Sequence, residues 1–274
     1  MCTITFLPTG ADSYLLASNR DEQKSRASST EPLQHNVSGI QCIWPVDRQA
    51  GGTWIAANKT GAAFALMNDY QSHQHASGSD TSSRGVIIPE IADCSSPDQV
   101  SERFADSDTL KHFSFQPFRL LMADSRNGVT MWHFDGHALQ RSHQGYGAGI
   151  WVSAGKKESK IRNGRRQLFE DFLGRSYKNN LGRIMDLHTT QNGLKNPDDI
   201  NDGNPDLFGF SMELEYVRTV SSTIVEFAPD NVAGKRKSGS LKMHFMPGRP
   251  APQKKWRTCE LGQRTNLPEK GWNL

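Results

Sequence analysis

The second residue of the chain is a cysteine, and loss of an initiator methionine is tolerated when the next side chain is small. Cys2 would then carry a thiol and an α-amine on one residue. With ordinary pKa values of about 8.5 and about 7.7–8.0, the amine can act as the base for its own thiol near neutral pH. A lone cysteine is more often a small buried apolar residue, so its company decides. Three polar or glycine-rich motifs supply it: Asn19-Arg20-Asp21-Glu22, Gly51-Gly52-Thr53-Trp54, and A-L-M-N-D-Y at 65–70, which contains Asn68.

Hairpins are expected to position them. T-I-T-F-L and S-Y-L-L-A-S are β-rich runs separated by P-T-G-A-D, a turn composition, so the tetrapeptide at 19–22 returns beside Cys2. Thr53–Ala57 and Ala62–Asn68 flank N-K-T-G, where Gly61 can supply a positive φ. F-R-L-L-M-A-D and V-T-M-W-H-F-D form another hairpin, and Thr219–Phe227 and Leu241–Phe245 supply late strands joined by a polar turn, D-N-V-A-G-K-R-K-S-G. Helical pattern begins near Arg84 and is clearest over Ser159–Leu173, where Ile161, Leu168, Phe169, Phe172 and Leu173 share one face. Hairpins with helices gathered between them predict an α+β fold, antiparallel sheets covered by helices. Residues 1–246 read as one domain and 247–274 as a basic, weakly structured extension.

With M-C at the start, A-S-N-R-D-E followed by S-R, G-G-T-W-I-A and A-L-M-N in this order, the chain resembles the NRDE, or transport-and-Golgi-organisation, family. The resemblance extends more loosely to about Phe245. Members look like N-terminal-nucleophile hydrolases, which implies a four-layer αββα sandwich of two antiparallel sheets. Penicillin V acylases and choloylglycine hydrolases are the catalytic cousins. By that resemblance Cys2 is the nucleophile, Asn19 and Asp21 form the N-x-D element after the second strand, Asp21 could hold the Cys2 amine, and Asn68 is an oxyanion-stabilising amide. The chain departs from those relatives at three supports: Ser18 stands where an arginine precedes N-x-D, Ala154 where an asparagine is usual, and V-R-T-V-S-S-T at 217–223 where T-R-x-x-T is common. Residues of one catalytic unit act non-additively, so altered supports can abolish turnover yet leave a pocket.

Two functions follow from the resemblance. Family members are associated with intracellular haem trafficking, which implies a haem carrier whose pocket uses Cys2, Arg20, Asn68 and Arg218, with haem as non-covalent cargo passed to haem-accepting proteins. The alternative is a working amidohydrolase or acyltransferase with Cys2 attacking an amide or thioester. Handling of acyl-CoA or lipid in the same cleft is a third reading.

Composition narrows the class. No apolar run in the 274 residues approaches the roughly 20 needed to span a bilayer, and the start lacks the pattern of a secretory signal, so a soluble cytoplasmic protein is expected. Cysteines at 2, 42, 94 and 259 fit no zinc knuckle. His73, His75, His133 and His137 offer no identifiable third metal ligand, so no metal is assigned. The net charge of +3 divides into +8 over residues 231–274 and −5 over the rest. That basic tail could touch an anionic membrane surface, but no nucleic-acid module accompanies it. Lys156, Lys157, Lys160, Arg162, Arg165 and Arg166 could receive phosphate or carboxylate but read first as a solvated helix face, and Trp44, Trp54, Trp132 and Trp151 as core.

Overall fold

The computed structural model describes residues 2–71, 82–108, 110, 115–155, 158–174, 180–191, 209–232 and 235–262. Met1, His73, His75, Lys156 and Lys157 lie outside the described residues.

The first hairpin joins β1 (Cys2–Gly10) to β2 (Ser13–Gln23). Its turn holds Asp12 at a φ of 63°, a conformation that Asp tolerates. Four strands follow, β3 (Pro32–Val37), β4 (Ile40–Pro45), β5 (Ile55–Asn58) and β6 (Ala63–Asn68). Gly61 takes the expected positive φ, 86°, between the last two. After a 3-10 turn at Arg84–Val86 come α1 (Ile87–Ile91) and α2 (Pro97–Asp106). The meander β7 (Phe118–Asp124), β8 (Gly128–Phe134) and β9 (Leu139–Gly145) is followed by β10 (Gly149–Ser153), α3 (Glu158–Leu173) and α4 (Asn180–Thr189). The chain then forms β11 (Val217–Val232), β12 (Lys235–Pro247) and β13 (Arg257–Glu260).

All ladders within the two sheets are antiparallel: six strands in the order β10-β1-β2-β11-β12-β13, and seven in the order β3 to β9. Period-2 alternation gives each sheet two apolar faces, and three clusters stack the layers. Between the sheets, Ile4, Phe6, Tyr14 and Leu16 meet Ile43, Ile55, Ala65 and Leu121. Outside the seven-stranded sheet, Phe64, Leu120 and Trp132 pack on Ile87, Ile88, Ile91 and Val100 of α1 and α2. Outside the other sheet, Leu7, Leu15, Ala17 and Ile224 pack on Phe169, Ile184 and Leu187 of α3 and α4. Each fully buried Leu, Ile, Val or Phe among them contributes about 1.5–3 kcal/mol. The result is the expected α+β sandwich, helices over sheet over sheet over helices.

Two expectations change. The polar run 230–239 is for the most part strand: β11 and β12 pair from Ser221↔Pro247 out to Val232↔Lys235, because a ladder satisfies the backbone whether or not the side chains are apolar. Residues 247–262 are not a loose extension. Arg257–Glu260 pairs with β12, Trp256 packs beside α3 and α4, and Arg257 forms a salt bridge with Glu31.

Candidate active site

Strand alternation sorts the tetrapeptide. Cys2 pairs with Arg20 in the β1–β2 register, and the inter-sheet face of β2 carries Tyr14, Leu16, Ser18 and Arg20. Asn19 and Asp21 therefore point the other way, into the helix layer.

On the inter-sheet face, Cys2 opens into a cavity of about 330 Å³, lined also by Arg20, Glu22, Arg26, Asp47, Trp54, Asn68 and Arg84. The G-G-T-W motif builds one wall. Gly51 holds a φ of 73°, closing a turn in which Asp47 N donates to Gly52 O at 2.8 Å. Gly52 presses on backbone: an added Cβ would stand 2.4 Å from the Gly85 carbonyl carbon, and Thr53 N donates to Gly85 O at 3.0 Å. Glycine is required there because only its bare Cα permits the approach that brings Arg84 to the cavity.

Charge in the cavity is largely paired. Asp47 Oδ2 accepts from Arg20 and Arg26, each at 2.7 Å, and the Arg20 guanidinium lies 4.6 Å from the centre of the Trp54 ring. Burial pushes the Asp47 carboxyl up, but Arg26, the Gln49 N–H and Arg20 outweigh it and hold the group below its ordinary range. Arg84 differs. It donates to Pro117 O at 2.9 Å and has no salt bridge among the described residues, and burial lowers its pKa.

Cys2 and Asn68 come from different sheets and meet through β10. Ser153 is the register partner of Cys2, and its hydroxyl donates to the backbone carbonyl of Asn68. Asn68 Nδ2 donates to Tyr70 OH at 2.8 Å, which leaves the amide a second N–H. Burial raises the pKa of the Cys2 thiol, and the Asp21 carboxylate adds to the rise, while the Asp21 backbone N–H favours the thiolate. The thiol therefore needs a base.

Behind the strands lies a second, fully buried polar group. Asn19 Nδ2 donates to Phe210 O (2.7 Å) and His188 O (2.9 Å), and its Oδ1 meets His188 Nδ1 at 2.9 Å. The other ring nitrogen of His188 meets Thr5 Oγ1 at 2.8 Å. Asp21 accepts from Thr219 Oγ1 at 2.6 Å and lies 3.5 Å from Arg165, which also donates to Thr3. Arg165 has no exposed surface, which corrects its reading as part of a solvated face; Arg166 and Lys160 of that run are exposed. Burial, then the charge of Arg165, lowers the pKa of His188 to about 3.

Of the residues named from sequence, the structure thus gathers Cys2, Arg20 and Asn68 at one cavity. Asp21 reaches it from the opposite face of β2. Asn19 does not share it, and Arg218, opposite Glu22 in the β2–β11 ladder, lies outside the lining. The ladder shifts register between Thr219 and Ser221, so the irregular V-R-T-V-S-S-T coincides with a bulge at Val220. His133 is held by Asp69 at 2.6 Å, and among the described residues no three potential ligands converge on a metal position. The sequence reading assigns Arg84, Asp47 and His188 no site role; the close glycines at 52 and 85 are the signal that could have found the first.

The sequence profile of the family Transport and Golgi organisation 2 matches residues 1–244. The chain belongs to this family. No curated protein matches it. Among solved structures it is similar to the Caenorhabditis elegans ortholog of N-acylethanolamine-hydrolyzing acid amidase, at 11% identity and a TM-score of 0.51, over 81% of this chain and 92% of the other. Penicillin V acylase from Agrobacterium tumefaciens matches at 10% and 0.47 over 90% and 83%. The C2A mutant of the conjugated bile acid hydrolase from Clostridium perfringens matches at 10% and 0.46 over the full length of both. At such identities the first likeness shows the fold alone, a sandwich of two antiparallel sheets. No helix among the described residues is long and apolar enough to cross a membrane.

Proposed function

We propose that the family member described here uses the Cys2 cavity for thiol-based acyl transfer, on a small amide or thioester that carries an anionic group. The observation that carries this reading is the meeting of Cys2 and Asn68 at one cavity. Once Met1 is removed, the α-amine takes the thiol proton and Cys2 Sγ attacks the carbonyl carbon. The Asn68 amide faces the oxyanion. The amine then hands its proton to the leaving nitrogen or sulfur, and water or a second acceptor cleaves the thioester. Asp21 fixes the strand end from behind, where Arg165 lies 3.5 Å from it. Arg84, which has no carboxylate partner among the described residues, suits the anionic end of the substrate. At about 330 Å³ the cavity sits at the small end of ligand pockets, which span about 300–1,000 Å³.

Haem carriage is the second reading. It draws on the family resemblance and, in this cavity, on a thiol facing Arg84, which would pair with a propionate. It has lost two supports, since Arg20 is engaged by Asp47 and Arg218 lies outside the lining. The mostly polar wall also suits a flat apolar macrocycle poorly. Acyl-CoA or lipid handling needs the same cavity with a long exit.

One set of measurements separates them. Intact mass reports Met1. Acyl-amide and acyl-thioester cleavage should be abolished by Cys2→Ala and reduced by Asn68→Ala by about 100-fold. A saturable Soret shift on haem addition, weakened by Arg84→Ala, with no turnover of any acyl substrate by the Met1-free protein, would overturn the acyl-transfer reading in favour of the carrier.

A further inference from the structure

We propose that the free edge of β10 is a strand-addition site for an extended acidic segment of a partner protein. Four strands end the two sheets, and three are guarded in the ways natural edges are. β3 opens on Pro32. β9 is strongly polar, and its Arg141 pairs with Asp98 at 2.7 Å. β13 is four residues long and its Arg257 is tied to Glu31. β10 reads G-I-W-V-S, with no charge and no proline. Its ladder with β1 runs in unbroken register from Cys2↔Ser153 to Phe6↔Gly149, and β1 is its sole ladder partner among the described residues. Such a strand offers a row of backbone donors and acceptors.

The space beside that edge has a definite chemistry. A cavity of about 490 Å³ runs along residues 147–152, between β10 and α3. Arg162 and Arg166 reach it from α3 and Arg119 from β7, against one acid, Glu170. Arg119 is taken by Asp69 at 3.0 Å, whereas Arg162 and Arg166 form no salt bridge among the described residues. Trp151 and Phe169 supply the apolar floor. An added strand would alternate its side chains between the two sides of the sheet. Acidic residues at every second position would meet Arg162 and Arg166, and the positions between them would rest near Trp151. A second copy of this chain is the poorer occupant, because twofold pairing of two β10 strands brings both sets of arginines together.

The test uses the full-length protein and two strand-length synthetic peptides, one alternating glutamate with valine and one alternating lysine with valine. The glutamate peptide should bind saturably in a salt-sensitive manner and protect the amides of residues 149–153 from deuterium exchange. The exposed-face double variant R162E/R166E, checked for folding by circular dichroism, should weaken it about tenfold or more and bring in the lysine peptide. Equal binding of the two peptides, protection elsewhere, no saturable binding, or a dimer of this chain whose β10 amides are protected without any peptide would each overturn the proposal. Cys2→Ala should leave the result unchanged, so the outcome is independent of the chemistry in the cavity.

Discussion

The two faces of β2 treat one tetrapeptide in opposite ways. On the cavity face Arg20 and Glu22 join Arg26 and Asp47 in an ion-pair cluster beside open space. On the helix face Asn19 and Asp21 are sealed in a network with His188, Thr5, Thr219 and Arg165. The first can rearrange around a ligand, because Glu22 and Arg26 keep 30% and 26% of their side-chain surface. The second cannot, because its bonded polar atoms would lose their partners without finding solvent. The contrast fits a division of work under the proposed function: the helix face holds the end of β1 and hence Cys2 in place, and the cavity face would meet the ligand.

The comparison breaks if the helix face tolerates change. Arg165→Met should cost the most, about 3–5 kcal/mol, because it leaves Asp21 buried with its carboxylate uncompensated by that cation. Urea unfolding measures it, and combining it with Asp21→Asn should recover a large part, since removing both charges of a buried pair is far milder than removing one. A cost under about 1 kcal/mol for the single variant would mean that Arg165 is no structural support. Asn19→Ala comes next at about 2–3 kcal/mol, as it removes the donor to the His188 and Phe210 carbonyls and the partner of His188 Nδ1.

Why was one face legible in the sequence and the other not? The hairpins, Gly61 and the return of Arg20 beside Cys2 could be read because β-runs, turn residues and antiparallel return are local facts, whereas Asn68, on the other sheet, could be placed beside Cys2 by the family resemblance alone. The partners of Asn19 and Asp21 come from α3, α4 and β11, up to 198 residues away, and no local pattern announces them. Arg165 looked like one more basic residue on a charged helix; its burial depends on which way α3 rolls against Thr3. Some misses had a local signal. Ser96-Pro97 with Gln99 is a helix start, and Ser96 Oγ does accept from Gln99 N, yet α2 went unseen. Edge strands β3, β9 and β13 are polar and short, so alternation carries little information there.

A smaller effect, and one that sharpens the comparison, is the pH dependence of the helix face. His188 has a folded pKa of about 3, against about 6.5 when unfolded. Below the latter the unfolded chain binds a proton that the native state refuses. Its contribution to stability is therefore complete above pH 6.5 and is lost as pH falls toward 3, with a slope approaching 1.4 kcal/mol per pH unit by the approximate linkage relation. In His188→Gln this slope should vanish from the acid limb, whatever the variant's stability at pH 8. An unchanged limb would show that His188 already carries its proton in the folded state.

Removing Arg26 should do least to the fold. Its side chain keeps about a quarter of its surface, 26%, and its pairing with Asp47 and Glu22 is open to screening, so Arg26→Ala should shift stability by less than about 1 kcal/mol. Asp47 retains Arg20 at 2.7 Å and the Gln49 N–H at 2.9 Å, so no buried charge is orphaned. The consequence lies in the cavity. With one of the cations that hold it down removed, the Asp47 carboxyl should rise toward its ordinary pKa, and Arg20 becomes the main counterion. If the cavity face is the ligand-binding one, the affinity for an anionic ligand should fall while the unfolding midpoint barely moves. Carboxylate titration by carbon-13 NMR reports the first effect, and binding beside denaturation reports the second. Should Arg26→Ala instead lower stability as much as Asn19→Ala while sparing binding, the division of labour between the two faces of β2 is wrong, and the cavity cluster is scaffold as well.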